Sequence, residues 1–213
     1  MTSNAHLLRL MTWLSPAFPV GAFGYSHGLE TAIREGAVHD ADTLCAWIAG
    51  LIEHGSGWTD AVLFRAAWSA DAAGLAEIAD LAEALAPSLE RRRETLGQGE
   101  AFLIAARAWG PTALTGAVAY PVAVAASAAG IPVEAALTAW LHAFAANLVS
   151  VAVRAVPLGQ TDGVAAIAGL EPIVLSTTAR AAVSTLDDLG SSALLSDIAA
   201  MRHETLDVRL FIS

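Results

Sequence analysis

Residues 133–153 read VEAALTAWLHAFAANLVSVAV, a mostly apolar stretch whose length makes it decisive for the fold class. About 20 such residues would span a bilayer as a helix, so a membrane span and a buried helix both have to be considered. Polar side chains recur every four residues, at Glu134, Thr138 and His142. They form a stripe on one helical face, and ionisable groups are costly inside a membrane. We therefore interpret the stretch as the central helix of a bundle.

Helical patterns continue on both sides of this stretch. Pro132 suits a first helical turn, and Asp40 or Asp42 can cap the helix of TLCAWIAGLIEH, residues 43–54. Pro172 predicts a break between two helices, at about 161–168 and 172–182. We find no internal repeat or linker. The sequence therefore predicts an all-α, single-domain bundle of about 8–10 helices over residues 1–213.

Composition limits the possible functions. Apolar residues make up 55% of the chain, charged residues only 15%, and mean hydropathy is +0.55. So apolar a chain needs a helical core, an oligomer interface or a membrane to bury its surface. The formal net charge is −10 and all 11 fixed cations are arginines, which argues against nucleic acid and anionic lipid as partners. Glu90 and Glu94 flank the triplet Arg91–Arg93, which we interpret as a solvated helix face rather than a phosphate contact.

Known catalytic and metal-binding patterns are missing from the sequence. The six histidines show no HExxH spacing, and the single cysteine, Cys45, cannot form an internal disulfide. A chain without lysine cannot carry the phosphate-binding lysine of a P-loop. We therefore predict no catalytic residues, no metal site and no cofactor. The alternative is a small helical enzyme of unknown reaction that uses His27 or His203 as a base. The apolar start of the chain is too short for a signal peptide, so we expect a cytoplasmic location.

Residues 201–213, MRHETLDVRLFIS, end a helical chain with a different pattern. Apolar side chains alternate at Leu206, Val208, Leu210 and Ile212, which predicts an extended strand with those four on one side and Phe211 on the other. A lone strand has to fold back onto the body or be covered by a partner. We therefore predict that residues 204–213, called the tail below, dock another subunit. Its expected partner-binding residues are Arg202, His203, Glu204, Arg209, Leu210 and Phe211.

Two further loops are rich in glycine, proline and aromatic residues, a composition typical of recognition surfaces on a rigid scaffold. The first is SPAFPVGAFGYSHGLE, residues 15–30, where we place a dimer interface at Phe23, Tyr25 and Glu30. The second is RAVPLGQTDG, residues 154–163, where we predict that Arg154 and Gln160 organise partner binding. For Arg154 the alternative is a simple helix C-terminal cation.

Taken together, the three segments resemble the urease accessory protein UreF family. The matching motifs are Ser15-Pro16, Pro19-Val20-Gly21, Tyr25-Ser26, Gly28-Leu29-Glu30, Arg154, Pro157-Leu158-Gly159-Gln160, Met201 to Thr205 and Arg209 to Phe211. Their order and spacing match across nearly the whole chain. The departures are His27 for a common glutamine, Tyr120-Pro121 in a histidine-containing context, Val164 for a second glutamine, Leu206-Asp207 for Gln-Tyr, and Ile212 for arginine.

The resemblance implies an all-α protein that dimerises and has no catalysis of its own. It implies an adaptor that bridges the accessory protein UreD, also called UreH, and the GTPase UreG. Such a complex delivers nickel to apo-urease, and the adaptor modulates the GTPase. The expected partners are therefore UreD/UreH, UreG, apo-urease and a second copy of the chain, with no nucleic acid and no membrane.

Overall fold

In the computed structural model, residues 2–212 are described and fold into α-helices joined by loops. The described residues contain no β-strand, which confirms the predicted all-α class. Met1 and Ser213, which the predicted domain and tail include, lie outside the described residues. The helices are α1 Asn4–Trp13, α2 Leu29–Arg34, α3 Ala41–His54, α4 Ser56–Ser69, α5 Ala72–Ala84, α6 Leu89–Ala106, α7 Tyr120–Ser127, α8 Val133–Ala155, α9 Gln160–Ala182 and α10 Leu194–His203.

Helix α8 is the central helix that its sequence predicts. It packs against α2, α3, α4 and α9. Leu137, Leu141 and Leu148 are fully buried, whereas Glu134 and His142 of the polar stripe are exposed. By length and composition alone, α8 and α9 could each cross a membrane. However, half of the most apolar window of α8 is already buried inside the protein.

The structure corrects the predicted break at Pro172. Helix α9 runs without interruption from Gln160 to Ala182, with Pro172 inside it. A proline removes one hydrogen bond to the carbonyl four residues earlier, here that of Ala168. Both residues are exposed, so the solvent can hydrate that carbonyl and the helix continues. Other helix ends follow their capping signals: Asp40 caps α3 through the backbone N–H of Thr43, 2.9 Å from the carboxylate.

Helices α2 and α10 cross closely at Gly28. The residue has φ +76°, and a Cβ atom there would lie 2.8 Å from the backbone nitrogen of Ala200. Only glycine tolerates both the positive φ and this approach. The crossing brings Glu30, on α2, into contact with His203, the last residue of α10.

Candidate partner-binding site

His203 lies between two carboxylates in the interior. Its Nδ1 is 2.8 Å from a Glu90 oxygen and its Nε2 is 3.1 Å from a Glu30 oxygen. The histidine is fully buried, and Glu30 and Glu90 are 2% and 9% exposed. The two ring nitrogens thus each meet one carboxylate. One side chain therefore joins the start of α6, which carries Glu90, to α2.

Glu30 also anchors the backbone of the tail. Its Oε1 accepts from the N–H of Leu210 at 2.9 Å, and its Oε2 accepts from the N–H of Phe211 at 3.1 Å. Arg34, one turn further along α2, donates to Oε1 at 3.1 Å. Burial alone would raise the pKa of Glu30, but the Leu210 amide, His203 and the Phe211 amide outweigh it and lower that pKa. The carboxylate is therefore held in its charged form.

The tail continues to the first loop and the end of α8. Phe211 is buried, and the guanidinium carbon of Arg154 lies 4.7 Å from its ring centroid, a cation–π distance. Arg154 also donates to the carbonyl of Phe23 at 2.8 Å. The N–H of Ile212 donates to the carbonyl of Gly24 at 2.7 Å. All three predicted recognition segments therefore meet, and Arg154 does more than end a helix.

The remaining charged residues of the segment complete the anchor. Arg209 pairs with Glu90, and Glu204 accepts from the N–H of Leu89 at 3.0 Å. Anions are favoured at helix N-termini, so Glu204 stabilises the start of α6, whose N-cap is Ser88. Arg202 pairs with Glu35 at 3.0 Å on the surface. The carboxylate that pairs with Arg209 thus lies within the chain.

The predicted strand is wrong, because the described residues of the tail form no strand. Most of the apolar side that was predicted to be covered by the body or by a partner is exposed in the single chain. Val208, Leu210 and Ile212 are 66%, 68% and 62% exposed, whereas Phe211 is only 6% exposed. No neighbouring strand is available to pair with the tail among residues 2–212. Its amide groups turn to the Glu30 carboxylate instead, and that arrangement points Phe211 inward.

The other predicted site residues lie around this anchor or apart from it. Phe23 is 61% exposed. Tyr25 is half-buried, and burial followed by the charge of Glu94 raises the pKa of its phenol. Gln160 is the exposed first residue of α9. Glu30, expected at a dimer interface, is covered by the tail in the single chain.

The sequence analysis did not predict a second buried polar cluster, which joins Arg91 and Glu94 of α6 to Asp60 and His27. Arg91 and Glu94, predicted to be solvated, are 8% and 2% exposed, while Arg92 and Arg93 do face the solvent. Arg91 contacts Glu94 at 2.7 Å and Asp60 at 3.3 Å, and His27 contacts Glu94 at 3.0 Å. Burial alone would raise the pKa of Glu94, but Arg91 and His27 lower it to about 2. The available signal was helical spacing: the polar residues 91, 94, 95 and 98 share one face.

The chain is similar in sequence to known proteins over nearly its whole length. The UreF family model matches residues 38–171. A protein of Rhizobium etli named urease accessory protein UreF is 55% identical over 97% of this chain and 96% of its own length. One from Mesorhizobium japonicum with the same name is 52% identical over 99% and 98%. One from Brucella canis, urease accessory protein UreF 1, is 51% identical over 97% and 94%.

Proposed function

The chain belongs to the UreF family of urease accessory proteins, and within its role in urease maturation we propose that it is an adaptor. It bridges UreD/UreH and the GTPase UreG, so that nickel, the cargo of the complex, enters apo-urease. Through the same contacts it modulates the GTPase. The relatives are named accessory proteins, which confirms the interpretation as a non-enzyme and sets aside an enzyme with a histidine base.

The observation that carries this proposal is the exposed apolar surface of α10 and the tail. Side chains that a free monomer would be expected to bury face the solvent, namely Leu194, Leu195, Ile198, Met201, Val208, Leu210 and Ile212. Glu30 binds the backbone amides of Leu210 and Phe211, and Arg154 packs against the Phe211 ring, so these contacts hold the tail in one arrangement. A surface ordered before binding loses less conformational entropy when a partner docks. We place UreD on this surface.

Arg154 and Gln160 extend the proposed surface along the loop between α8 and α9. Arg154 is exposed at the edge of the proposed surface. Its guanidinium lies over the Phe211 ring and donates to the Phe23 carbonyl. Gln160 is exposed and free to meet a partner's polar groups. In this arrangement the tail supplies apolar area and the loop supplies hydrogen bonds, as in a typical interface with an apolar centre and a polar rim.

The homodimer remains a proposal as well. Phe23, exposed at the first loop, is the side chain best placed to contact a second copy, with Tyr25 half-buried beside it. Glu30 is covered by the tail, so we assign it an indirect role: it holds the tail and the first loop in one arrangement. Light scattering at micromolar concentration tests this state, and a clean monomer would contradict it.

Single substitutions on the exposed face of the tail test the adaptor proposal better than truncation, because truncation would uncover Glu30 and Glu90. We expect Val208→Asp and Leu210→Asp to weaken capture of UreD at least tenfold while leaving the melting temperature unchanged. Val183→Asp is the matched control, since Val183 is 80% exposed after α9 and outside the tail. Unchanged UreD capture by both tail variants would overturn the proposal.

A further inference from the structure

The outward side of α9 is apolar and exposed in the single chain. The helix packs against α3, α4 and α8 on its inner side, yet only 33% of its most apolar window is buried. Val164 and Leu175 are 68% and 58% exposed. Contiguous exposed apolar surface on a protein marks a site that another molecule covers. The tail surface does not include this side of α9, which therefore forms a second contact surface.

The exposed residues on this side follow one line along the helix. Intervals of three or four residues match the turn of an α-helix, so side chains at these intervals lie one above the other. The residues on this line, called the α9 face below, are Val164, Ala168, Pro172, Leu175 and Ala179. Two of them are alanines, and small side chains let a second helix approach to about 8 Å between the axes. The α9 face therefore suits another helix that lies along it.

Two exposed charges of opposite sign border the α9 face on one flank. Asp162 and Arg180 are 18 residues apart, which is five full turns, so both lie on the same side of the helix. They lie nine residues before and nine residues after Glu171, the midpoint of Gln160–Ala182. Neither takes part in an ion pair among residues 2–212. Both charges can therefore pair with those of another molecule.

This arrangement of charges is complementary to itself. When a second copy of α9 lies antiparallel about a twofold axis at the midpoint, Asp162 of each copy comes to the level of Arg180 in the other. A parallel copy would instead set each charge beside the same charge. A contact in which one patch meets its own copy is the commonest kind in homodimers. The charges therefore favour an antiparallel second copy as the molecule that covers the α9 face.

The surroundings of Arg180 support a role in pairing. An acid at the start of a helix and a base at its end also suit the helix dipole, but that role needs no uncovered apolar line between them. The guanidinium carbon of Arg180 lies 4.2 Å from the ring centroid of Trp58, which is buried. A side chain that is already held in place loses less conformational entropy when it binds a carboxylate.

We propose that the α9 face packs antiparallel against the α9 face of a second copy of this chain, with Asp162 and Arg180 forming two symmetric ion pairs. The inference rests on the homodimer of the proposed function and adds a helix-to-helix surface to its contact at Phe23. It does not depend on the capture of UreD by the tail.

Leu175→Asp tests the apolar part of this surface. We expect the dissociation constant of the dimer of the full chain, measured by sedimentation equilibrium, to rise at least tenfold. Ile104→Asp is the matched control, because Ile104 is also 58% exposed but lies on α6. Both side chains are already exposed, so both variants should keep the circular dichroism of the unsubstituted chain. An unchanged dissociation constant in Leu175→Asp, or an equal rise in both variants, overturns the proposal.

Charge reversal tests the antiparallel pairing. Arg180→Asp and Asp162→Arg should each weaken the dimer about tenfold, because each removes two exposed ion pairs and sets like charges opposite one another. The double variant restores opposite charges and should return to within about threefold of the unsubstituted chain. Glu171→Gln is the control: Glu171 lies two and a half turns from either charge, on the opposite flank, so the variant should not weaken the dimer. A double variant as weak as the single ones overturns the pairing.

Phe23→Asp separates this inference from the homodimer itself. Weaker dimers in both Phe23→Asp and Leu175→Asp place the first loop and the α9 face in one interface. If only Phe23→Asp weakens the dimer, the homodimer stands and the α9 inference fails. If Leu175→Asp weakens capture of UreD and leaves the dimer unchanged, UreD covers the face and the inference also fails. A monomeric unsubstituted chain contradicts the homodimer and this inference together.

Discussion

Nε2 of His203 lies 3.1 Å from a carboxylate oxygen of Glu30, although the two residues are 173 positions apart. This contact links α10 to α2, and the same carboxylate holds the backbone of Leu210 and Phe211. The position of the tail therefore depends on one buried glutamate.

Glu30→Gln should release the tail, because the amide has one acceptor oxygen where the carboxylate has two and carries no charge for His203. We expect a loss of about 2–4 kcal/mol in the free energy of unfolding, measured by urea denaturation. Amide exchange at Leu210 and Phe211 should accelerate. Glu35→Gln is the control, since its pair with Arg202 is exposed and worth under about 1 kcal/mol. Equal effects of the two variants would contradict the anchor.

Stability should fall in acid because of Glu94. Its pKa is lowered to about 2 from an ordinary value of 4.5, so the folded state binds its proton less readily than the unfolded chain. The contribution is therefore complete above about pH 4.5 and is lost as pH falls towards 2. A shift of that size corresponds to about 3 kcal/mol. Glu30, whose pKa is also lowered, acts in the same direction.

The measurement is urea denaturation between pH 2 and pH 6, compared with Glu94→Gln. The variant should be less stable at pH 6 and should show a flatter dependence on pH. If both proteins lose stability with the same slope, Glu94 is not the group that senses acid.

Phe211→Ala should destabilise the protein by about 3 kcal/mol, the lower end of the range for a buried phenylalanine, because a terminal segment can adjust. It removes the ring beneath Arg154 as well as buried apolar area. Leu210→Ala, at a side chain that is 68% exposed, should cost under about 0.5 kcal/mol. Thermal unfolding of both variants checks the difference, and the reverse order would restore the predicted strand.

Gly28→Ala should be more harmful than Gly36→Ala, although both glycines have φ near +77°. Positive φ alone costs alanine about 1–2 kcal/mol. At Gly36 no atom lies within 4 Å of the added Cβ, whereas at Gly28 the Ala200 nitrogen lies 2.8 Å away. The clash should add about 1–3 kcal/mol, visible in chemical denaturation. Equal losses would show that α10 moves freely away from α2.

Sequence patterns predicted the helices well where periodicity and capping agree. Helix α8 begins at Val133 as expected and extends two residues beyond the predicted end, Val153. The break at Pro172 was wrong, because a sequence does not show that the proline lies on a solvent-facing side. Whether the helix continues through Pro172 depends on tertiary packing, which helix propensity does not describe.

The anchor was only partly predictable for a different reason. The charged residues near 202–209 were correctly singled out, but their partners Glu30 and Glu90 lie 173 and 113 positions away from His203. No local pattern encodes such distances. Arg91 and Glu94 were missed because charged residues are expected at the surface unless a buried partner is known.

The span between Glu30 and Leu210, 180 positions, has a consequence for synthesis. A chain emerges from the ribosome at roughly 5–20 residues per second, so Glu30 appears roughly 10–40 s before the amide groups that it will bind. During that time the Glu30 carboxylate lacks the amide groups of Leu210 and Phe211 that it binds in the folded protein. The nascent protein therefore completes this region only after most of its length has been translated, and a chain stalled before residue 210 cannot form these hydrogen bonds.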